Sequence, residues 1–405
     1  MVFLLMRGWW LRALETAEGD RFKAFAISLM VVFLFFKLGY LWLSVQSIEQ
    51  KYLLYSYYQT FEAISMKYIV CEEPGQFLIK EKQEPALEKG QVLIQMKRIG
   101  ICGTDLHAFQ GNQPFFQYPR ILGHELAGEV IQVGESVTTY KAGDRVGIMP
   151  YVSCQKCIAC RRGKTNCCTS IQVLGVHSDG GMQERIVLSQ DLLLPANHLE
   201  WEEIAILEPL AISAHAIRRS QVTPEDTVVV MGCGPIGIGV MAFAQVEGAR
   251  VIALDVQDSR LQFVKDKLGI KDTVNVLQGD AQKKVEELTN GDMAQIVFDA
   301  TGNKRALESG VDYMSHGGKF VLVGLFKGEL SYQHPAIHAK ETSLLCSRNA
   351  TREDFDYVMD KLNQKTFPVN SFVTHTVPFL DMPQHFDDWL KPETGVIKAM
   401  LELSS

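Results

Sequence analysis

The chain has 405 residues, enough for two or three domains at about 100–200 residues each. Its 47% hydrophobic and 21% charged content is globular, which excludes a disordered or fibrous chain. A net charge of −7 excludes a general nucleic-acid binder, which needs a basic surface to displace phosphate counterions. Nine cysteines are too sparse for a disulfide scaffold, so their clustering says more than their number.

Residues 1–65 differ from the rest. The run from Ala24 to Val45 is strongly apolar, with Lys37 its one charge, and is long enough to span a bilayer. Arg7, Arg12, Arg21 and Lys23 precede it and Lys51 follows, so a span would hold the N-terminus in the cytoplasm and send the remainder outward. Thiols oxidise there, against the chemistry read below. No small-residue cleavage site follows, which argues against a signal peptide. The reading adopted is that Met66 is the working start and residues 1–65 an upstream over-call, giving a cytoplasmic protein. A membrane anchor is the alternative.

From Met66 to about residue 220 the pattern is short β-branched runs broken by glycine: VLIQMKRIG at 92–100, LAGEVIQVG at 126–134, GDRVGIMPY at 143–151. This predicts an all-β, partly barrel-like unit over 66–220. At Thr227 the pattern changes to a buried strand, a glycine turn, a helix and a second buried strand. That is the opening of a doubly wound parallel sheet, assigned to 221–346 with further strands at Gln295–Asp299 and Gly318–Gly324. The remainder, 347–405, begins with an amphipathic helix (EDFDYVMDKLNQ) and is expected to return to the first domain.

Gly232-Cys233-Gly234-Pro235-Ile236-Gly237 matches the dinucleotide fingerprint in its confirming context, after a strand and opening a helix. Asp255 ends the next strand, 18 residues beyond Gly237. The glycines allow the backbone to approach a pyrophosphate at the helix N-terminus. Asp255 can accept from both ribose hydroxyls and repels a 2′-phosphate, which favours NAD over NADP. A structural turn without ligand is the bland alternative. Arg260 is placed either to cover the adenine or to lie in solvent.

Cys154, Cys157, Cys160 and Cys168 are separated by two, two and seven residues. Four thiolates so close can close a tetrahedral shell with no open position, the mark of a structural zinc. Cys167 competes for the fourth place. A dispersed second set comprises Cys102 in GICGTDLH, His124 and Glu125 in LGHE, and Glu208 in ILEPLAISAHA. Singly, Cys102 and His124 read as core groups. Glu208 is harder to dismiss, because an acid in an apolar run needs a partner or a metal.

Together, GICGTDLH, GHELAGEVIQVG, the four-cysteine lobe, GCGPIG and DATGN (299–303) make residues 66–405 resemble the zinc-containing medium-chain dehydrogenases, the alcohol, sorbitol and threonine dehydrogenase superfamily. The runs GNQPFFQYPRILGHE (111–125), VGLFKGE (323–329) and SRNAT (347–351) further resemble its bacterial L-galactonate dehydrogenase branch. Residues 1–65 have no counterpart there. The resemblance implies a GroES-like β domain plus a Rossmann domain, two zinc ions per chain, NAD, and assembly as a homodimer or homotetramer. It implies a catalytic zinc on Cys102 and His124 with Glu125 or Glu208 completing the set, relay roles for Thr104 and His107, and a cofactor contact at Gly324.

The expected reaction is oxidation of a secondary alcohol, with Thr104 passing the hydroxyl proton to His107 and His107 releasing it to solvent. A sugar-acid substrate would need a cation and several donors. Arg348, Asn349, Asn112 and Gln113 are candidates, with surface or structural roles equally weighted. A polyol or hydroxy amino acid is the alternative substrate. A non-catalytic zinc- and NAD-binding sensor is the competing class, and it leaves Cys102, His124 and Glu208 without purpose.

Overall fold

The computed structural model describes residues 65–112, 116–367 and 369–403. The apolar run at 24–45 lies outside them. Among the described residues no helix is long and apolar enough to cross a membrane.

In chain order, the first part contains β1 (Ser65–Glu73), β2 (Gln76–Gln83), β3 (Gln91–Ile101), a short helix α1 (Gly103–Phe109), β4 (Glu125–Val133), β5 (Arg145–Ile148), β6 (Tyr151–Val152), β7 (Gln172–Val173), β8 (Arg185–Ser189) and β9 (Leu193–Pro195). Helix α2 (Leu207–Ser220) leads to β10 (Thr227–Met231), α3 (Pro235–Val246), β11 (Arg250–Asp255), α4 (Asp258–Leu268), β12 (Asp272–Asn275), β13 (Ala294–Asp299), β14 (Met314–Leu322) and β15 (Ser343–Cys346). Helix α5 (Arg352–Asn363), β16 (His375–Pro378) and β17 (Ala399–Glu402) complete the chain.

A seven-stranded sheet runs β16-β17-β3-β4-β5-β9, with β8 also on β3. It is antiparallel except for the β16–β17 pair. The C-terminal strands therefore complete the first sheet. The run GDRVGIMPY does not form one strand: it breaks at Met149-Pro150 into β5 and β6. Proline has no N–H for the ladder, so the break falls where the chemistry requires it. The core on one face includes Ile69, Val92, Ile94, Ile99 and Leu126.

The second sheet is parallel throughout, in the order β12-β11-β10-β13-β14-β15. The alternation of side chains along a strand explains its unbroken hydrophobicity. Val228 and Val230 of β10 face one core with Leu210 of α2, Phe243 of α3 and Phe355 of α5. Val229 and Met231 face another with Ile252, Val297 and Phe320. Strand order reverses between β10 and β13, and the crevice beyond their carboxyl ends is where such sheets bind ligands.

Candidate active site

The register of the first sheet assembles three distant segments. Ala399 of β17 pairs with Ile101 of β3, and Glu125 of β4 pairs with Gly100. Lys398, Cys102 and Glu125 therefore meet at one end of the sheet. A side chain at position 100 would collide with the Glu125 carboxylate, so the glycine makes room for the acid. The side-chain ligand atoms of Cys102, His124 and Glu125 all lie within 4.8 Å of one another. Glu208 is outside that tight set. It sits in the first turn of α2, buried, close enough for its charge to act on His124.

Three residues that composition and motif reading passed over organise this cluster. Asp105 caps α1 through the Cys102 N–H (2.9 Å), accepts from the Gly123 N–H (3.4 Å) and lies 3.9 Å from His124 Nδ1. It ties the cysteine loop to the histidine loop; an Asp three residues after Cys102 is the signal of a capping box. Lys398 Nζ donates to Glu125 Oε1 and Oε2 at 2.5 and 2.8 Å and to the Ile101 carbonyl at 3.0 Å. The Tyr151 hydroxyl donates to Glu208 Oε1.

The electrostatics are those of a site short of positive charge. Burial opposes the His124 cation, but Cys102 and Asp105 beside it outweigh burial and hold its pKa well above the usual histidine range. Burial also pushes the Glu208 carboxyl up. His124 Nδ1 and Glu208 Oε2 are buried with no hydrogen-bond partner among the described residues. A thiol, an imidazole and two carboxylates, one of them with an unpartnered oxygen, fit a divalent cation of zinc's preferences.

The second cluster is the four-cysteine lobe. The sulfurs of Cys154, Cys157, Cys160 and Cys168 lie within 4.8 Å of one another, a spacing one tetrahedral ion with bonds of about 2.3 Å can bridge. Backbone N–H groups aim at sulfur: Cys154 to Cys168 Sγ at 3.2 Å, Cys157 to Cys154 Sγ at 3.4 Å, Ser170 to Cys168 Sγ at 3.4 Å. Backbone donors, led by the Cys160 N–H, hold the Cys157 thiol down to about 5. Burial and neighbouring sulfurs push Cys160 up to about 12, a conflict that a cation among them would relieve. Cys167 is exposed and outside the cluster.

At the glycine turn, Gly232 has φ +97°, and a Cβ at Gly237 would strike the Gly232 carbonyl. Gly234 caps α3, with Pro235 in its first turn, and nothing crowds the space beside Gly234. Ile236 lies in the same turn, half-buried. Asp255 accepts from the Cys233 N–H (2.7 Å) and the Gln257 N–H (2.9 Å), so it is fixed at the crevice edge. Gly324 follows β14, its N–H on the Asp299 carbonyl at 3.0 Å. Arg260 is not a solvent residue: Nη2 donates to the Val396 carbonyl at 2.5 Å and Nη1 is buried.

Thr104 is half-buried and His107 exposed, three residues apart on α1 and so on one face. Asn349 is drawn elsewhere: its side chain donates to the Asn166 carbonyl at 3.4 Å, and the Arg348 carbonyl accepts from Asn166 at 2.9 Å. The SRNAT run thus latches onto the cysteine lobe. Asn112 is exposed, and Gln113 lies outside the described residues.

Comparison with known proteins fits this geometry. Residues 88–198 match the alcohol dehydrogenase GroES-like domain, and residues 235–364 match the zinc-binding dehydrogenase domain. The chain belongs to the zinc-type alcohol dehydrogenase family. It is thus an oxidoreductase of CH–OH groups. The chain is 41% identical over 337 residues to L-galactonate-5-dehydrogenase of Escherichia coli, covering 83% of this chain and 99% of that one. It is 35% identical over 306 residues to a sorbitol dehydrogenase of Halalkalibacterium halodurans, covering 74% and 89%. An alcohol dehydrogenase (RspB) of Escherichia coli, solved with NADH, superposes with a TM-score of 0.79 at 31% identity, covering 84% of this chain and 99% of that one.

Proposed function

We propose that this zinc-type dehydrogenase oxidises a secondary hydroxyl of a sugar acid of the L-galactonate class to the ketone, passing the hydride to NAD. The similarity to L-galactonate-5-dehydrogenase, which extends over 99% of that relative, carries the substrate reading. The convergence of Cys102, His124 and Glu125 supports the chemistry.

Cys102 and His124 would hold the catalytic zinc, with Glu125 or Glu208 supplying a carboxylate. The four cysteines of the lobe would hold the structural one. When bound, the catalytic ion supplies Lewis acidity that lowers the pKa of an alcohol by several units. Thr104, two residues from Cys102, takes the hydroxyl proton, and His107 at the exposed end of α1 delivers it to water. The carbinol carbon loses a hydride and becomes a carbonyl; NAD gains the hydride and becomes NADH. Gly232, Gly234 and Gly237 admit the pyrophosphate at the α3 N-terminus. The fixed carboxylate of Asp255 meets the adenosine ribose and repels a 2′-phosphate.

Nine free cysteines suit a reducing compartment, which supports cytoplasmic action. Assembly of two or four copies is supported by β15, an edge strand with Leu344 exposed.

The test is NADH formation by the full-length protein with L-galactonate, L-gulonate, L-idonate, sorbitol and L-threonine, alongside a zinc count. Preference for one aldonate with about two zincs per chain is expected. Activity on sorbitol or threonine alone would replace the substrate. Inactivity with one zinc per chain would sink the catalytic reading in favour of a sensor.

A further inference from the structure

Two acids approach the proposed zinc site, and their hydrogen bonding differs. Both oxygens of Glu125 are taken by the buried ammonium of Lys398. Glu208 has one oxygen, Oε1, on the Tyr151 hydroxyl, while its other oxygen, Oε2, is buried without a donor among the described residues. Leaving a carboxylate oxygen bare in the interior costs the desolvation of a charged acceptor, unless a cation meets it.

Tyr151 is built to enforce that asymmetry. It opens β6 directly after Pro150, and its side chain is only 5% exposed. Its ring packs 6.2 Å from that of Phe355 on α5, which fixes the direction of the hydroxyl. Glu208 is equally fixed, 3% exposed in the first turn of a 14-residue helix. A phenol held in place can donate one hydrogen bond to one oxygen. It therefore sets the rotation of the carboxylate group and decides which oxygen is left open. A simple need to satisfy a buried acid would not leave Oε2 bare.

We propose that Tyr151 is a positioning residue that presents Glu208 Oε2 to the catalytic metal. This rests on the reading of Cys102 and His124 as that metal's site. Tyr151 touches neither substrate nor cofactor in this role; it acts through Glu208. It also lies three residues before Cys154, so the strand that orients the acid runs straight into the cysteine lobe.

The experiment uses the full-length enzyme with cobalt in the catalytic site, comparing wild type, Tyr151→Phe, Glu208→Gln and the double variant. The readouts are the visible absorption of the cobalt and its rate of removal by EDTA. Tyr151→Phe is expected to shift the cobalt bands and speed metal removal by about tenfold or more, as loss of an orienting partner does. The double variant should match Glu208→Gln alone, since the tyrosine works only through the acid. A wild-type spectrum and removal rate in Tyr151→Phe would overturn the proposal, whatever happens to activity or melting temperature. If Tyr151→Phe does not fold, Glu208→Gln decides: unchanged bands would overturn it equally. A wild-type protein that takes up metal only in the cysteine lobe would instead overturn the underlying reading of the site.

Discussion

Lys398 Nζ lies 2.5 and 2.8 Å from the two carboxylate oxygens of Glu125, and both side chains are almost wholly buried. The pair joins the segment before β17 to the start of β4. Burial opposes the lysine charge, yet Glu125 outweighs it and holds the ammonium above its usual pKa. Removing one partner of such a pair leaves a bare buried charge. Lys398→Met is therefore expected to cost about 3–5 kcal/mol, read as a lower urea midpoint. Adding Glu125→Gln should recover much of that loss, because the stranded charge is gone. If the double variant is as unstable as the sum of the two singles, the pair contributes packing and not charge compensation.

Asp255 has two duties, and one substitution separates them. Its carboxylate receives the Cys233 and Gln257 N–H groups, which shapes the glycine turn, and in the proposed function its charge also meets the ribose of NAD. Charge-assisted hydrogen bonds contribute about 1.5–3 kcal/mol each. Asp255→Ser is expected to lower kcat/KM for NAD by about ten- to a hundredfold on that basis. It should also raise kcat/KM for NADP, since the repulsion of a 2′-phosphate is removed. Equal losses with both cofactors in steady-state assays would assign Asp255 to the turn alone.

The local parts of this molecule were legible in the sequence and the junctions were not. The run TVVVMGCGPIG specifies its own strand, turn and helix, because burial, glycine geometry and N-capping all operate within a dozen residues. The four cysteines, close in sequence, are just as local. The meeting of Cys102, His124 and Glu125 depends on the β3–β4 register, and spacing does not encode it; the family resemblance supplied it. Lys398 and Tyr151 were missed for the same reason. Each reaches its acid across more than 50 positions, 273 in the case of Lys398 and 57 in that of Tyr151. A lysine in the apolar run GVIKAMLEL was the available signal, since a charge there needs a buried partner. Asn349, weighed equally as a substrate donor and as a surface or structural residue, has a structural contact to Asn166 of the lobe that no local pattern announces.

Cysteine reactivity should sort by burial and by metal. Burial pushes the Cys71 thiol up to about 12, and Cys233 is raised even further by burial and by Asp255. The thiolate is the reactive form, so both should resist iodoacetamide in the folded enzyme. Exposed Cys167 and Cys346 should label first. Cys154, Cys157, Cys160 and Cys168 should stay protected until a chelator strips the lobe, then label together. Mass spectrometry of the tryptic peptides reads all of these positions at once. Labelling of the four before chelation would remove the structural zinc from the proposal.

The acid limb of stability should depend on Asp354. Burial of this carboxyl works against its charge, but hydrogen bonds with His215 Nδ1 at 2.9 Å and Arg218 Nε at 2.7 Å outweigh burial and hold its pKa well below the usual carboxylate range. A depressed folded pKa means the folded state releases this proton more readily than the unfolded chain does. The stabilisation is therefore fully present above the unfolded value of about 4 and is lost as pH falls from there through the folded pKa. Asp354→Asn should melt well below wild type at pH 7, and the gap should close progressively below about pH 4. The His215–Asn166 contact at 3.1 Å links this acid to the lobe, so Asn166→Ala should reduce the pH 7 stability while leaving the shape of the acid limb intact. Melting curves of the three proteins between pH 2 and 7 test both statements. A gap between wild type and Asp354→Asn that stays constant across that range would show that the Asp354 charge contributes nothing to folding.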